Sequence, residues 1–213
     1  CGAGATGCRT PPWRGNHSNR GQQRKVLCGE LSRHQKGTEP MTTPSEDTQG
    51  ADYTQRLQRL EGARWKQILD VQRPYRWNLR RLQLGRTLDV GCGIGRNLEA
   101  FDDVVGVDHN AESVEVARAR GLRAWSTAEW PTCPDAVPES FDAMLLAHVL
   151  EHLDQPDADE VVASYLPYLK PAARLVFICP QEKGWTTDAT HVRFVDIPAM
   201  VATAERLGFA AEK

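Results

Sequence analysis

The sequence has few of the features that would tie it to a membrane, a metal knuckle or a disulfide framework. No apolar run approaches the ~20 residues that a bilayer demands. The longest, Ala143 to Leu150, already contains His148. The amino end lacks the apolar core of a secretory signal. Six cysteines are present, but no Cys-x-x-Cys pair, so neither a zinc knuckle nor a disulfide scaffold is expected, and no metal is assigned. A reduced, cytoplasmic setting is the expectation. Also missing is the third glycine of a dinucleotide-binding fingerprint: Arg96 stands where it would fall. That absence argues against a nicotinamide cofactor, although an NAD(P)-dependent oxidoreductase stays as an alternative.

What is present begins with a charge imbalance that the net value of −2 conceals. Residues 1–40 hold seven Lys/Arg against two acids, residues 56–86 nine against two, and residues 87–213 ten against twenty-one. Such blocks are usually solvated faces; the sharper reading is a basic surface that draws an anionic substrate toward an acidic domain. Residues 1–50 are polar and without apolar period, which predicts a disordered tail. Met41 reads as a natural start, so 1–40 are expected to be non-native upstream sequence and to add nothing to stability. Residues 51–85 are expected to form a helical cap, with helices over 53–70 and 75–84. Trp65, Tyr75 and Trp77 would form its core, and Arg73, Arg76, Arg80 and Arg81 could pair with an acceptor carboxylate or phosphate. Residues 86–213 form the main domain.

Within that domain strands and helices alternate. Strands are expected at 87–90, 104–107, 122–125, 141–147 and 174–179, and helices at 96–101, 111–120, 158–169 and 197–207, with a proline-rich loop at 130–140. The alternation implies an α/β, Rossmann-like, doubly wound parallel sheet. Its first strand runs into Asp89-Val-Gly91-Cys-Gly93-Ile-Gly95. Glycines in that spacing reach positive φ and let a ligand touch backbone, as at a nucleotide-cradling strand–helix junction.

The stretches LDVGCGIGRN, VVGVDHN, ESFDAMLLAHVLEHL and LKPAARLVFICP stand at separations that resemble the class I S-adenosylmethionine-dependent methyltransferases. The likeness is to their small-molecule, ubiquinone/menaquinone-type branch, and it covers about residues 85–209. It implies S-adenosyl-L-methionine as cofactor and methyl transfer to a small-molecule, glycan or lipid-linked acceptor. In that reading Gly91, Gly93 and Gly95 approach the methionine part. Asp89 faces its amino group, or else only braces the loop. Asp108 takes the ribose hydroxyls, or else only caps the next helix, and His109 and Asn110 flank it. The family often has Asp-Ala after the third strand; here Thr127, Ala128 or Glu129 must meet the adenine, and His148 lies at the mouth of the fourth strand. A catalytic base, needed only for a hydroxyl acceptor, would come from His152, His191 or His148. The resemblance also implies an antiparallel closing pair of strands that the chain does not supply. Leu175–Cys179 was therefore expected to be a bare sheet edge in a truncated, association-prone fragment.

Two competing readings come from the same residues. His148-Val-Leu-Glu-His152 formally matches a zinc-protease pattern, but that pattern needs a continuous helix, which Asp154 and Pro156 were expected to interrupt. A non-catalytic nucleoside- or partner-binding domain remains as an alternative function. No nucleic-acid module is visible, and the oligomeric state is not legible.

Overall fold

The computed structural model describes residues 73–181, 185, 186, 188 and 190–211, together with the backbone of 25–30. The expected helix over 53–70, Trp65 and the side chain of Arg73 lie outside the described residues. The strands are β1 (Lys25–Glu30), β2 (Thr87–Val90), β3 (Val104–Asp108), β4 (Ala124–Ser126), β5 (Phe141–Ala147), β6 (Leu169–Cys179) and β7 (Ala210–Ala211). The helices are α1 (Arg73–Arg81), α2 (Ala111–Ala119), α3 (Gln155–Tyr165) and α4 (Ile197–Arg206). The strands form one sheet in the order β4-β3-β2-β5-β6-β1-β7, and every pairing is parallel.

Side-chain alternation on the central strands feeds two cores. Leu88, Val90, Met144, Leu146, Leu175 and Phe177 face one side, where Ala158 and Val162 of α3 and Met200 and Ala204 of α4 cover them. Ala143, Leu145, Ala147, Val176 and Ile178 face the other, beneath Tyr75 and Leu79 of α1. Burial on both faces is why β5 reads as a continuous apolar run. By the same alternation Thr87 and Asp89 are placed on the α1 side of β2.

Several expectations need correction. Residues 25–30 are not featureless: β1 pairs with the outer edge of β6 from Lys25↔Arg174 to Glu30↔Cys179. The edge expected to be bare is therefore filled, by a parallel strand from upstream. The helix expected over 96–101 is a single 3-10 turn, Leu98–Ala100, because positive φ at Gly93 and Gly95 keeps the preceding chain in turns. Asp154 and Pro156 start a helix rather than interrupting one. The Asp154 carboxylate accepts from the Asp157 N–H, and Pro156 sits in the first turn of α3, where a missing N–H costs nothing. β6 begins at Leu169, earlier than expected. Its register against β5 shifts between Phe141 and Ala143, in the region where Pro171 cannot donate to the ladder.

Candidate functional site

The sheet order reverses between β2 and β5, one carrying the chain outward to β3 and β4, the other to β6. At such a switch point the loops leave in opposite directions and open a crevice at the carboxyl ends of the strands. The glycine loop, Asp108, Thr127 and His148 all follow the carboxyl ends of these strands or sit in their last positions.

Gly91, Gly93 and Gly95 have φ of 78°, 52° and 85°, the left-handed region that glycine reaches without strain. The loop they shape is anchored to β3. The N–H groups of Gly91 and Cys92 donate to the Val107 carbonyl, and the Gly95 N–H donates to that of Cys92. Arg120 adds a bond from Nη1 to the Ile94 carbonyl, 2.7 Å. Close packing gives Gly91 a second reason to be glycine: a Cβ there would lie 2.3 Å from Cγ2 of Val149. Gly106, which the sequence reading passed over, does the same for β3, since a Cβ would meet Cys92 Sγ at 2.6 Å.

Asp89 is fully buried, and among the described residues neither carboxylate oxygen has a partner within hydrogen-bond geometry. Burial pushes its pKa up to about 8; the nearby Asn97 side chain offsets part of this, and the charge of Asp108 adds to it. A buried carboxyl with only the nearby Asn97 side chain to offset its burial is costly, and it is best satisfied by a cation brought to it. Among the described residues no hydrogen bond joins the Asp89 side chain to the glycine loop, whereas Asp108 braces it. Asp108 Oδ2 accepts from the Gly93 N–H at 2.7 Å, and Oδ1 accepts from the Asn110 N–H at 2.8 Å. The cap of α2 is Asn110, whose side chain accepts from the Ser113 N–H, so Asp108 is not that helix's N-cap. His109 lies beside it, Nδ1 3.4 Å from Oδ1.

Thr127 and Ala128 are exposed just beyond β4, and the Thr127 N–H donates to the Asp108 carbonyl. Glu129 is committed elsewhere. It bonds Arg118 and the Ser126 N–H and hydroxyl, and these contacts hold its pKa down at about 2. Three basic residues of α1 are likewise occupied: Arg76 pairs with Glu99, Arg80 donates to the carbonyls of Glu99 and Ala100, and Arg81 lies over the Trp77 ring. Arg76 and Arg80 thus clamp the turn after the glycine loop.

The three histidines divide. His148 has φ of 62°, which turns the chain sharply at the end of β5. Its N–H donates to the Ile178 carbonyl, and its Nδ1 lies 3.2 Å from Glu151 Oε1. His152 and His191 are brought together from separate loops, ring centroids 5.0 Å apart, with Trp185 stacked on His191. Burial lowers the His152 pKa. The sequence reading missed Glu151 and Asn97 as site residues. The first stood in plain view inside the protease-like pattern, but its burial depends on the loop after β6, whose Val192 and Arg193 N–H groups donate to its carbonyl.

Comparison with known proteins shows what this geometry resembles. Residues 88–177 match the profile of the methyltransferase domain. Two similar curated proteins are ubiquinone biosynthesis O-methyltransferases. The one from Idiomarina loihiensis is 34% identical over 101 residues, covering 43% of this chain and 41% of that protein. The one from Hahella chejuensis is 35% identical over 101 residues, covering 43% and 42%. The matched stretch thus spans about two fifths of the length of those relatives. Among solved structures, a SAM-dependent methyltransferase from Archaeoglobus fulgidus superposes with a TM-score of 0.55 at 20% identity, over 67% of this chain and 71% of that one. Magnesium protoporphyrin IX methyltransferase from Synechocystis PCC 6803 does so with 0.56 at 15%, over 78% and 89%. These two show the fold, and the profile covers the glycine loop, Asp108 and the β5 turn. Over residues 88–177 the chain is similar to the methyltransferase domain, and it has the fold of SAM-dependent methyltransferases.

Proposed function

We propose that this chain transfers a methyl group from S-adenosylmethionine to a small-molecule acceptor, lipid-linked ones included. The observation that carries the reading is Asp89: a buried, unpartnered carboxyl beneath a loop of positive-φ glycines. The ammonium of the cofactor's methionine part supplies the missing donor. When bound, the cofactor supplies a sulfonium methyl that an acceptor lone pair displaces in line. The protein's share is alignment and exclusion of water.

Each residue then has a task. Asp108 holds the loop through Gly93 and keeps further lone pairs on both oxygens for ribose hydroxyls. His109 stands beside it. With Glu129 spent on Arg118, the adenine edge rests on the Thr127 hydroxyl and the Ala128 main chain. His148 and the glycines line the methionine end. An acceptor hydroxyl has to lose its proton, and the imidazoles of His152 and His191 offer lone pairs for it. Among the described residues no helix is long and apolar enough to cross a membrane; the setting we propose is the cytoplasm.

Asp108→Ala should weaken S-adenosylhomocysteine binding by one to two decades, the loss of charge-assisted bonds worth ~1.5–3 kcal/mol. Calorimetry on the folded variant checks this, and unchanged affinity would remove Asp108 from the site. NAD should not bind either protein.

The Asp89 carboxyl also gives binding a pH dependence. In the ligand-free chain it holds its proton to about pH 8. An ammonium placed against it displaces that proton, so S-adenosylhomocysteine affinity should rise between pH 6 and 8, by up to about tenfold per unit, and level off above. Stability of the ligand-free fold runs the opposite way. The folded value lies above the ordinary 3.8, so the fold binds the extra proton and loses stability as pH rises from about 4 to 8. Asp89→Asn should bind more weakly, show no such slope, and lose the alkaline decline in melting temperature. Parallel pH profiles for the two proteins would refute the assignment.

A further inference from the structure

The turn after β5 and the loop after β6 bring together three side chains that lie far apart in the chain. Potential ligand atoms of Glu151, His152 and His191 lie within 4.8 Å of one another. Two further observations point to a ligand there. Glu151 is fully buried; its Oε1 is 3.2 Å from His148 Nδ1, but among the described residues Oε2 has no partner. A buried carboxylate oxygen in that position calls for a cation. The histidines supply the second observation. His152 Nδ1 lies 3.2 Å from the Thr190 carbonyl oxygen, and His191 Nδ1 lies 2.9 Å from that of Trp185. A carbonyl only accepts, so each Nδ1 carries the proton and each ring keeps its lone pair on Nε2. Metal-binding histidines are held this way, the far N–H fixed on an oxygen so that the tautomer and ring direction are set before the ion arrives.

We propose that Glu151, His152 and His191 form a binding site for a divalent transition-metal ion of the zinc type, with coordination left open for the methyl acceptor. Two imidazoles and one carboxylate suit such a borderline ion better than magnesium, which prefers an all-oxygen shell. The site differs from the helical protease pattern. His148 is not among the three; it orients Glu151, and the third ligand comes from the loop after β6. The part the ion plays rests on the methyl-transfer reading, although its binding does not. An acceptor hydroxyl held there gives up its proton to solvent near neutral pH. The freed oxygen lone pair forms the O–CH3 bond as the C–S bond of the donor breaks and its electron pair passes to sulfur. The ion then replaces an imidazole base, because the same Nε2 lone pairs are spent on it.

The test is a Co2+ titration of the full, metal-stripped chain, read by visible d–d absorption, with S-adenosylhomocysteine calorimetry on the same samples. We expect saturation at one Co2+ per chain, displacement by Zn2+, and at least tenfold weaker Co2+ binding in His191→Ala and in Glu151→Gln. Because Glu151 is fully buried, the part-buried His191→Ala variant decides the matter; its S-adenosylhomocysteine affinity should stay within twofold of the parent. No saturable Co2+ spectrum, or one that His191→Ala leaves unchanged, overturns the site. Co2+ binding lost in His191→Ala, in a chain that fails to bind S-adenosylhomocysteine, upholds the site and removes the methyl-transfer reading instead.

Discussion

A chain that begins at Met41 should melt about 10 °C or more below the full chain and should self-associate. The loss is larger than one strand. β1 joins β6 along six register positions, and β7 reaches the sheet only through β1, by Lys25↔Ala210 and Val26↔Ala211. Removing β1 frees β7 and exposes the backbone of β6 beside the buried Leu175, Phe177 and Cys179. At about 0.5–1.5 kcal/mol net per hydrogen bond the ladder is worth several kcal/mol, and each kcal/mol moves the melting point of a domain this size by ~2–4 °C. An unpaired apolar strand edge is also a template for another chain. Differential scanning calorimetry and light scattering on both chains check this. Equal melting points with a monodisperse monomer from Met41 would exclude β1 from the folded sheet.

Gly93→Val should lower S-adenosylhomocysteine affinity by a hundredfold or more, the largest effect we expect of any single substitution on binding. Gly93 has φ of 52°, and a β-branched residue is badly placed there. The residue cannot simply relax to negative φ, because its N–H is the donor that Asp108 Oδ2 holds at 2.7 Å. Rotating that peptide breaks the link between the loop and β3, and the new methyls fill the space beside the backbone that a ligand would use. The strands beneath are untouched, so the variant should fold, with a modest drop in melting temperature. Near-normal binding in a folded Gly93→Val protein would mean that the glycine loop does not cradle the cofactor.

The parts of this molecule that sequence discloses are those fixed by local rules. Phe141–Ala147 announces itself as a buried parallel strand because both of its faces are largely apolar. The glycine loop does so because positive φ selects glycine. Residues whose role depends on distant partners stayed hidden. Nothing in Lys25–Glu30 itself says that it pairs with β6, and its polar surroundings pointed to a tail. Pro156 was read as a breaker because the capping role of Asp154 depends on where the turn after β5 releases the chain. Glu129 could be set aside as an adenine contact only once Arg118 was seen beside it. His152 and His191 were each singled out from the sequence, but their meeting, and the burial of Glu151 next to them, are products of the fold.

The placement of β1 also bears on how the molecule is made. Lys25 and Arg174 are register partners, yet almost the whole domain lies between them. During synthesis the amino-terminal segment leaves the ribosome first and must stay unpaired until β6 has emerged and docked on β5. Closing so long a loop comes late and slowly. In that interval the nascent β2–β6 sheet carries an open apolar edge. The earliest-made of the described strands can join only after β6, with β7 following it, and until then the chain depends on dilution or on chaperones to keep the vacant position from being taken by a neighbour.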